Sequence, residues 1–228
     1  MKLSEIFHSI QGEGKLAGVP SVFIRTSGCN LRCTWCDTPY SSWSPEGDSV
    51  GVGEIMERLA RYGSTHAVVT GGEPMIDPDV TMLTHALKDG GYHVTIETAA
   101  TVWRDVDCDL ASISPKLGHS TPWERDGGRW AASHEAHRIN VATIRRFMAF
   151  PDYQLKFVVD SPDDLGEIDS LLAQIGDYRS DNVLLMPQGV TVAELHARGP
   201  WVAEACKDRG FRFCPRLHIA LYGNKKGT

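Results

Sequence analysis

Short runs of β-branched and aromatic residues alternate along this chain with segments whose apolar residues recur every three or four positions. The runs Val22–Thr26, His66–Thr70, Tyr92–Thr98, Leu110–Ser114, Gln154–Val159, Asn182–Met186 and Phe211–Leu217 predict strands. Between them, Glu54–Tyr62 predicts a helix with Ile55, Leu59 and Tyr62 on one face and Gly63 as its stop. Pro78–Lys88 predicts another, with Val80, Leu83 and Leu87 together, and Ile139–Ala149 a third. Asp163–Ile175 carries the cleanest stripe: Leu165, Ile168, Leu172 and Ile175. A last helix lies within Val192–Arg209, disturbed at Gly199-Pro200, where proline removes an N–H. Residues 117–137 mix Gly, Pro, Trp and charge without a period and predict an irregular loop, of a length usually functional or mobile. Strands separated by helices imply βαβ units and a parallel sheet. The order of elements leaves open a curved, incomplete barrel or an open doubly wound sheet. Without an internal repeat, the 228 residues fit one domain over 1–228.

Composition narrows the function classes. The chain is 42% hydrophobic and 23% charged, as a globular protein is. A net charge of −6, with no basic run before Lys225-Lys226, argues against a nucleic-acid surface. No apolar run approaches the ~20 residues of a membrane span. The start, Met1-Lys2-Leu3-Ser4-Glu5-Ile6, lacks the apolar core of a signal peptide.

Three of the six cysteines are bunched as Cys29-x3-Cys33-x2-Cys36, just after the first predicted strand. Thiolates suit iron–sulfur clusters. Three sulfurs leave one iron of a [4Fe–4S] cluster free for a substrate or cofactor, which argues for chemistry at the cluster. A structural zinc site needs four ligands, with His8 or His66 as the fourth, and neither sits in a knuckle pattern. A disulfide framework does not fit so sparse and uneven a set. An exposed cluster requires a reducing compartment, which points to the cytoplasm. Cys108, Cys206 and Cys214 match no motif and read as small buried hydrophobes. The triplet resembles the signature of the radical S-adenosylmethionine (SAM) superfamily, in which the open iron takes the amino and carboxylate groups of SAM.

Further motifs end predicted strands, where sites of barrels and open α/β sheets cluster. Thr70-Gly71-Gly72-Glu73-Pro74 is a simple turn on its own, but its glycines let a backbone approach a ligand. Beside the cysteines it matches the superfamily motif whose backbone receives the SAM amino group. Trp35 matches the aromatic position bordering the SAM adenine, and packing under the loop is its alternative role. Ser114-Pro115-Lys116 offers a hydroxyl, a carbonyl and an ammonium to a ribose or carboxylate; Met186-Pro187-Gln188-Gly189 suits adenine or ribose. Glu97 ends a strand as either a ribose contact or a cap. Ahead of the first predicted strand, Gln11-Gly12-Glu13-Gly14 presents a carboxylate and exposed amides suited to a pterin or purine edge. Arg25 suits a substrate carboxylate as a bidentate clamp. Taken singly, Glu13 reads as a solvated turn residue and Arg25 as a surface ion pair.

Together, Phe7-His8-Ser9-Ile10-Gln11-Gly12-Glu13-Gly14, Phe23-Ile24-Arg25, the cysteine triplet with Asp37-Thr38, Thr70-Gly71-Gly72-Glu73-Pro74, Ser114-Pro115-Lys116 and Arg216-Leu217-His218 resemble the 7-carboxy-7-deazaguanine synthase family. The likeness runs from about residue 5 to the C-terminus and is weakest over 117–137. It implies a partial TIM-type β/α barrel, with a substrate-binding segment at about 1–20. The implied reaction converts 6-carboxy-5,6,7,8-tetrahydropterin to 7-carboxy-7-deazaguanine with loss of ammonia, toward preQ0 and queuosine. A 5′-deoxyadenosyl radical takes the C6 hydrogen, the ring contracts, and SAM is regenerated. By the same resemblance, substrate contacts fall on Ile10, Gln11, Gly12, Glu13, Arg25, Thr70 and His218. SAM contacts fall on Trp35, Gly72, Glu73, Ser114, Pro115, Lys116, Met186, Pro187, Gln188 and Gly189. Cys29, Cys33 and Cys36 hold the cluster, and Thr38 a magnesium ion. A flavodoxin or ferredoxin electron donor and a homodimer are implied too. The competing readings are another radical SAM enzyme, such as a glycyl-radical-enzyme activase, and a non-enzymatic iron–sulfur or zinc protein.

Overall fold

Along each central strand the side chains alternate between two unlike environments. In the computed structural model, which describes residues 1–228, Val22, Ile24, Val69, Ile96, Ile113, Leu155, Phe157 and Leu185 join one large apolar core. The intervening positions carry Arg25, Thr70, Glu97, Ser112, Gln154 and Lys156. Parallel sheets covered on both faces read as near-continuous apolar runs. Here one face packs against helices, and the other mixes these polar groups with two small apolar clusters, Phe7–Phe23–Val68 and Val158–Leu184–Met186–Cys214.

The elements follow in chain order: β1 (Lys2–Ile10), β2 (Pro20–Thr26), α1 (Pro39–Ser42), β3 (Asp48–Ser49), α2 (Val52–Leu59), β4 (His66–Gly71), α3 (Val80–Asp89), β5 (His93–Thr98) and β6 (Leu110–Ile113). After them come α4 (Ala131–His137), α5 (Val141–Met148), β7 (Tyr153–Val159), α6 (Asp164–Ile175), β8 (Val183–Pro187), α7 (Val192–Arg209), β9 (Arg212–Phe213) and α8 (Leu217–Tyr222). The strands form one open sheet in the order β3-β1-β2-β4-β5-β6-β7-β8-β9. From β2 to β9 all neighbours are parallel; β1 runs antiparallel to β2 and to β3. The two edges, β3 and β9, do not pair, so the sheet is an unclosed barrel. No helix is long and apolar enough to cross a membrane.

The structure departs from the sequence expectations at several places. The first strand is β1, not β2. Its apolar residues sit on both faces (Leu3 and Phe7 buried, Ile6 and Ile10 partly so), and a register irregularity between Leu3 and Glu5 breaks the alternation. Residues 117–137 are not wholly irregular: they contain two short 3-10 turns and end in α4. Helix α7 runs through Gly199-Pro200 as one helix, started by a Thr191–Glu194 capping box and stopped by Gly210 at φ 66°. The expected strand Phe211–Leu217 shrinks to two residues, because Pro215 has no N–H to offer a sheet neighbour. The chain then turns into α8.

Candidate active site

The polar face of the sheet borders a cavity of about 480 Å³. Two loops bound it from opposite ends of the strands. The cysteine loop leaves the C-terminal end of β2. The loop joining β1 to β2, residues 11–19, lies at the N-terminal ends of the parallel strands and crosses to β7. There the Lys15 amide donates to Gln154 Oε1 at 2.8 Å, and Lys15 Nζ pairs with Asp152 at 2.6 Å. The Gln11–Gly14 motif therefore lies at the strand end opposite the other motifs.

Glycines seat the cysteine loop. A side chain on Gly72 would meet the Gly28 carbonyl oxygen at 2.1 Å and that of Ser41 at 2.6 Å, so only hydrogen fits between the two backbones. The Gly28 amide donates to Ser41 at 2.8 Å, and the Glu73 amide to Gly28 at 2.9 Å. From outside, residues 117–137 grip the loop. The Arg32 amide donates to His134 Nδ1 at 3.1 Å, and Thr34 to the Ser120 carbonyl at 2.8 Å. Arg125 donates to the Thr34 carbonyl at 2.8 Å and stacks on Trp43, whose indole N–H reaches the Cys33 carbonyl at 3.0 Å. His134 is buried and hydrogen-bonded on both ring nitrogens; burial lowers its pKa to about 4.

The sulfur chemistry fits an iron–sulfur cluster. Cys29, Cys33 and Cys36 are free thiols bordering the one cavity. Cys29 Sγ accepts the Leu31 amide at 3.3 Å, and Cys36 Sγ lies 3.1 Å from Ser42 Oγ; such hydrogen bonds tune cluster thiolates. Burial pushes the Cys29 and Cys33 thiols up to about 12. No three His, Cys, Asp or Glu side chains converge as a single metal ion would need. A four-iron cluster is broader and does not require its thiolates to meet at a point. The zinc alternative also lacks its fourth ligand: His8 stacks on Tyr62, His66 lies tilted against the His93 ring, and neither borders the cavity.

At the other end, ion pairs and hydrogen bonds converge on the Gln11–Gly14 segment. Glu13 pairs with Lys156 Nζ and, at 3.0 Å, with Arg216 Nε. Burial alone would raise the Glu13 pKa; the two cations hold its carboxyl far below the usual carboxylate range. Arg216 also pairs with Asp37 and donates to the Gly189 carbonyl. Glu97 accepts from Gln11 Nε2 at 3.1 Å and from Thr70 Oγ1 at 2.8 Å. A side chain on Gly12 would overlap the His218 ring, and one on Gly14, at φ +75°, the Gln154 amide. Arg25 is not a surface group: with little exposure it donates to Glu5 at 2.6 Å, and Tyr40 shares that carboxylate at 2.9 Å.

Of the residues singled out by sequence, Ile10, Gln11, Gly12, Glu13, Arg25, Cys29, Cys33, Trp35, Cys36, Thr38, Thr70, Gly72, Ser114, Lys116, Met186, Gln188 and His218 all border this cavity. Trp35 stacks on His119 and packs against the Val158–Met186 cluster. Lys116 Nζ reaches back to the Ser114 carbonyl at 2.7 Å. Glu73, Pro115, Pro187 and Gly189 do not border it. The Glu73 carboxylate is buried elsewhere, capping Met75 and taking the Thr98 hydroxyl at 2.7 Å. Lys156, Arg216 and Asp37 were not among the residues singled out, although Arg216 and Asp37 stand inside quoted motifs. Lys156 did carry a signal, as a charged residue two positions after Gln154 in a strand run that is apolar at its other positions.

The model of the Radical SAM superfamily matches residues 23–114, from β2 through the cysteine loop to Ser114. A 7-carboxy-7-deazaguanine synthase of Halobacterium salinarum is 48% identical over 100% of this chain and 93% of its own length. The chain belongs to the 7-carboxy-7-deazaguanine synthase family. Its relative in Rhodopirellula baltica, of the same name, is 47% identical over 99% of this chain and 88% of its own. Within this family the fold is shared as well. The crystal structure of QueE from Escherichia coli superposes with a TM-score of 0.72 at 26% identity, covering 95% of this chain and 94% of that one. The radical SAM class implies a [4Fe–4S] cluster and SAM as cofactors, and the unclosed sheet is the partial barrel the resemblance implied.

Proposed function

We propose that the chain converts 6-carboxy-5,6,7,8-tetrahydropterin to 7-carboxy-7-deazaguanine, releasing ammonia. The observation that carries this reading is the meeting, in one cavity, of three cysteine thiols with Gln11, Gly12 and Glu13, Arg25 and Thr70. The name shared by the relatives at 48% and 47% identity supports the same reaction. The product is the substrate less ammonia, so the net step consumes neither oxidant nor reductant. When bound, the cluster supplies the electron that cleaves SAM.

The chain's own residues bind, orient and shield. Glu13, kept ionised by Lys156 and Arg216, accepts N–H bonds from the guanidine-like edge of the pterin. Gln11, Gly12, Ile10, Thr70 and His218 frame that edge, and Arg25 faces the substrate carboxylate. Trp35, Gly72, Ser114, Lys116, Met186 and Gln188 form the SAM side; Glu73, Pro115, Pro187 and Gly189 shape the loops behind it. Thr38, beside Cys36, offers a hydroxyl oxygen to Mg²⁺, which takes few protein ligands and keeps room for a substrate carboxylate. A homodimer, a flavodoxin or ferredoxin donor and a cytoplasmic setting complete the reading.

The test is turnover: reduced, cluster-loaded protein with SAM, Mg²⁺ and the carboxytetrahydropterin yields the deazapurine chromophore. Absence of product from fully loaded protein rules the reading out. Cys33→Ala abolishes the brown colour and SAM cleavage, whereas Glu13→Ala keeps SAM cleavage and weakens pterin binding. Equal loss of both in the Glu13 variant contradicts its assignment.

A further inference from the structure

One buried side chain touches all three segments assigned to separate tasks. Arg216, 8% exposed, lies between β9 and α8. Its Nε donates to Glu13 at 3.0 Å in the loop at the substrate end. One terminal nitrogen bonds Asp37, next to Cys36, and the other donates to the Gly189 carbonyl in the loop after β8 at 2.5 Å. The same short segment is pinned to the substrate loop twice more: the Leu217 amide donates to the Gly12 carbonyl at 2.8 Å, and the His218 ring packs against Gly12.

We propose that Arg216 is a positioning residue that couples the pterin end of the cavity to its SAM end. This rests on the substrate reading above. A guanidinium is a rigid planar fork that can hold three acceptors in fixed mutual directions; a lysine ammonium cannot. The four charges Glu13, Asp37, Lys156 and Arg216 balance one another while largely buried. A shift of the cysteine loop that pulls Asp37 away leaves the guanidinium undercompensated and tightens its hold on Glu13. Seating SAM against the cysteine loop and the loop after β8 therefore sets the position of Glu13 before the pterin arrives. Linkage makes the effect reciprocal.

The experiment is calorimetric titration of the carboxytetrahydropterin into anaerobic, cluster-loaded, unreduced protein, with and without SAM. In the natural protein SAM tightens pterin binding about tenfold or more. In Arg216→Lys, which keeps the charge and loses the fork, that factor falls below about twofold. Asp37→Asn removes the charge of one cofactor-side partner and leaves the Gly189 carbonyl in place. It lowers the factor in the same way, because the guanidinium is already committed to Glu13 without SAM and the SAM-free pterin affinity rises toward that of the SAM complex; it decides the matter if Arg216→Lys does not fold. An undiminished factor in the folded variants overturns the coupling. A natural protein that turns over the pterin but binds it equally with and without SAM overturns the coupling and leaves the substrate reading standing. A natural protein that binds SAM and never binds the pterin overturns both.

Discussion

His134 sits where one residue decides how firmly the cysteine loop is held. Its Nδ1 accepts the Arg32 amide and its Nε2 faces Ser120 Oγ at 2.9 Å, so a neutral ring satisfies both neighbours. Burial brings its pKa from 6.5 down to about 4. For a group whose pKa is lower folded than unfolded, stability is fully present above the unfolded value and is lost as pH falls through the folded one. The expectation is a melting temperature that declines between about pH 6.5 and pH 4. His134→Asn, which retains an acceptor for Arg32, flattens that decline; an unchanged slope in the variant refutes the assignment. Glu13 contributes in the opposite charge sense, since its ionised form is stabilised when folded, and its share fades only in stronger acid.

Elements were legible where a helical stripe or an unbroken β-branched and apolar run marked them. The stripes of α2, α3, α5 and α6 and the runs of β4 to β8 end within a few residues of where the sequence put them. Strand β1 hid because both of its faces carry apolar side chains. Helix α8 hid because six residues, Leu217–Tyr222, are too few for a periodic signal. By sequence the glycines after β4 suit a ligand's close approach; the structure adds that Gly72 admits the cysteine loop itself. Gly72→Ala pushes that loop out: iron per chain after reconstitution falls severalfold while circular dichroism keeps its helical signal. Gly166 is the contrary case, an exposed glycine inside α6 whose added Cβ would meet no neighbouring element within 4 Å. Gly166→Ala stabilises the fold by about 1 kcal/mol, read from chemical denaturation, with turnover unaltered.

For the molecule as a whole, the barrel is left open by its strands and spanned at one end by a loop. Gln154 holds that span: its Oε1 takes the Lys15 amide at 2.8 Å and its Nε2 donates to Ser112 Oγ at 2.7 Å. Gln154→Ala leaves buried partners unmet, at a cost of about 1–3 kcal/mol. It raises the Kd for the pterin and spares iron content; a matching loss of iron would show that the damage spreads beyond the substrate loop to the cysteine loop. The three thiols and the substrate-loop motif were readable because they are contiguous in sequence. Lys156 and Arg216 were not, because what gives them meaning is a neighbour more than 140 positions away: Glu13.

Interior packing and chemistry occupy odd and even positions of the same strands, back to back across one layer of backbone. Rewriting Thr70, Glu97, Ser112, Gln154 and Lys156 toward a different heterocycle therefore spares the helix-facing neighbours, provided that partners bonded to one another, Gln154 with Ser112 and Lys156 with Glu13, change together. In a scaffold wired this way, the structural cost of a new substrate is confined to the polar side of the sheet.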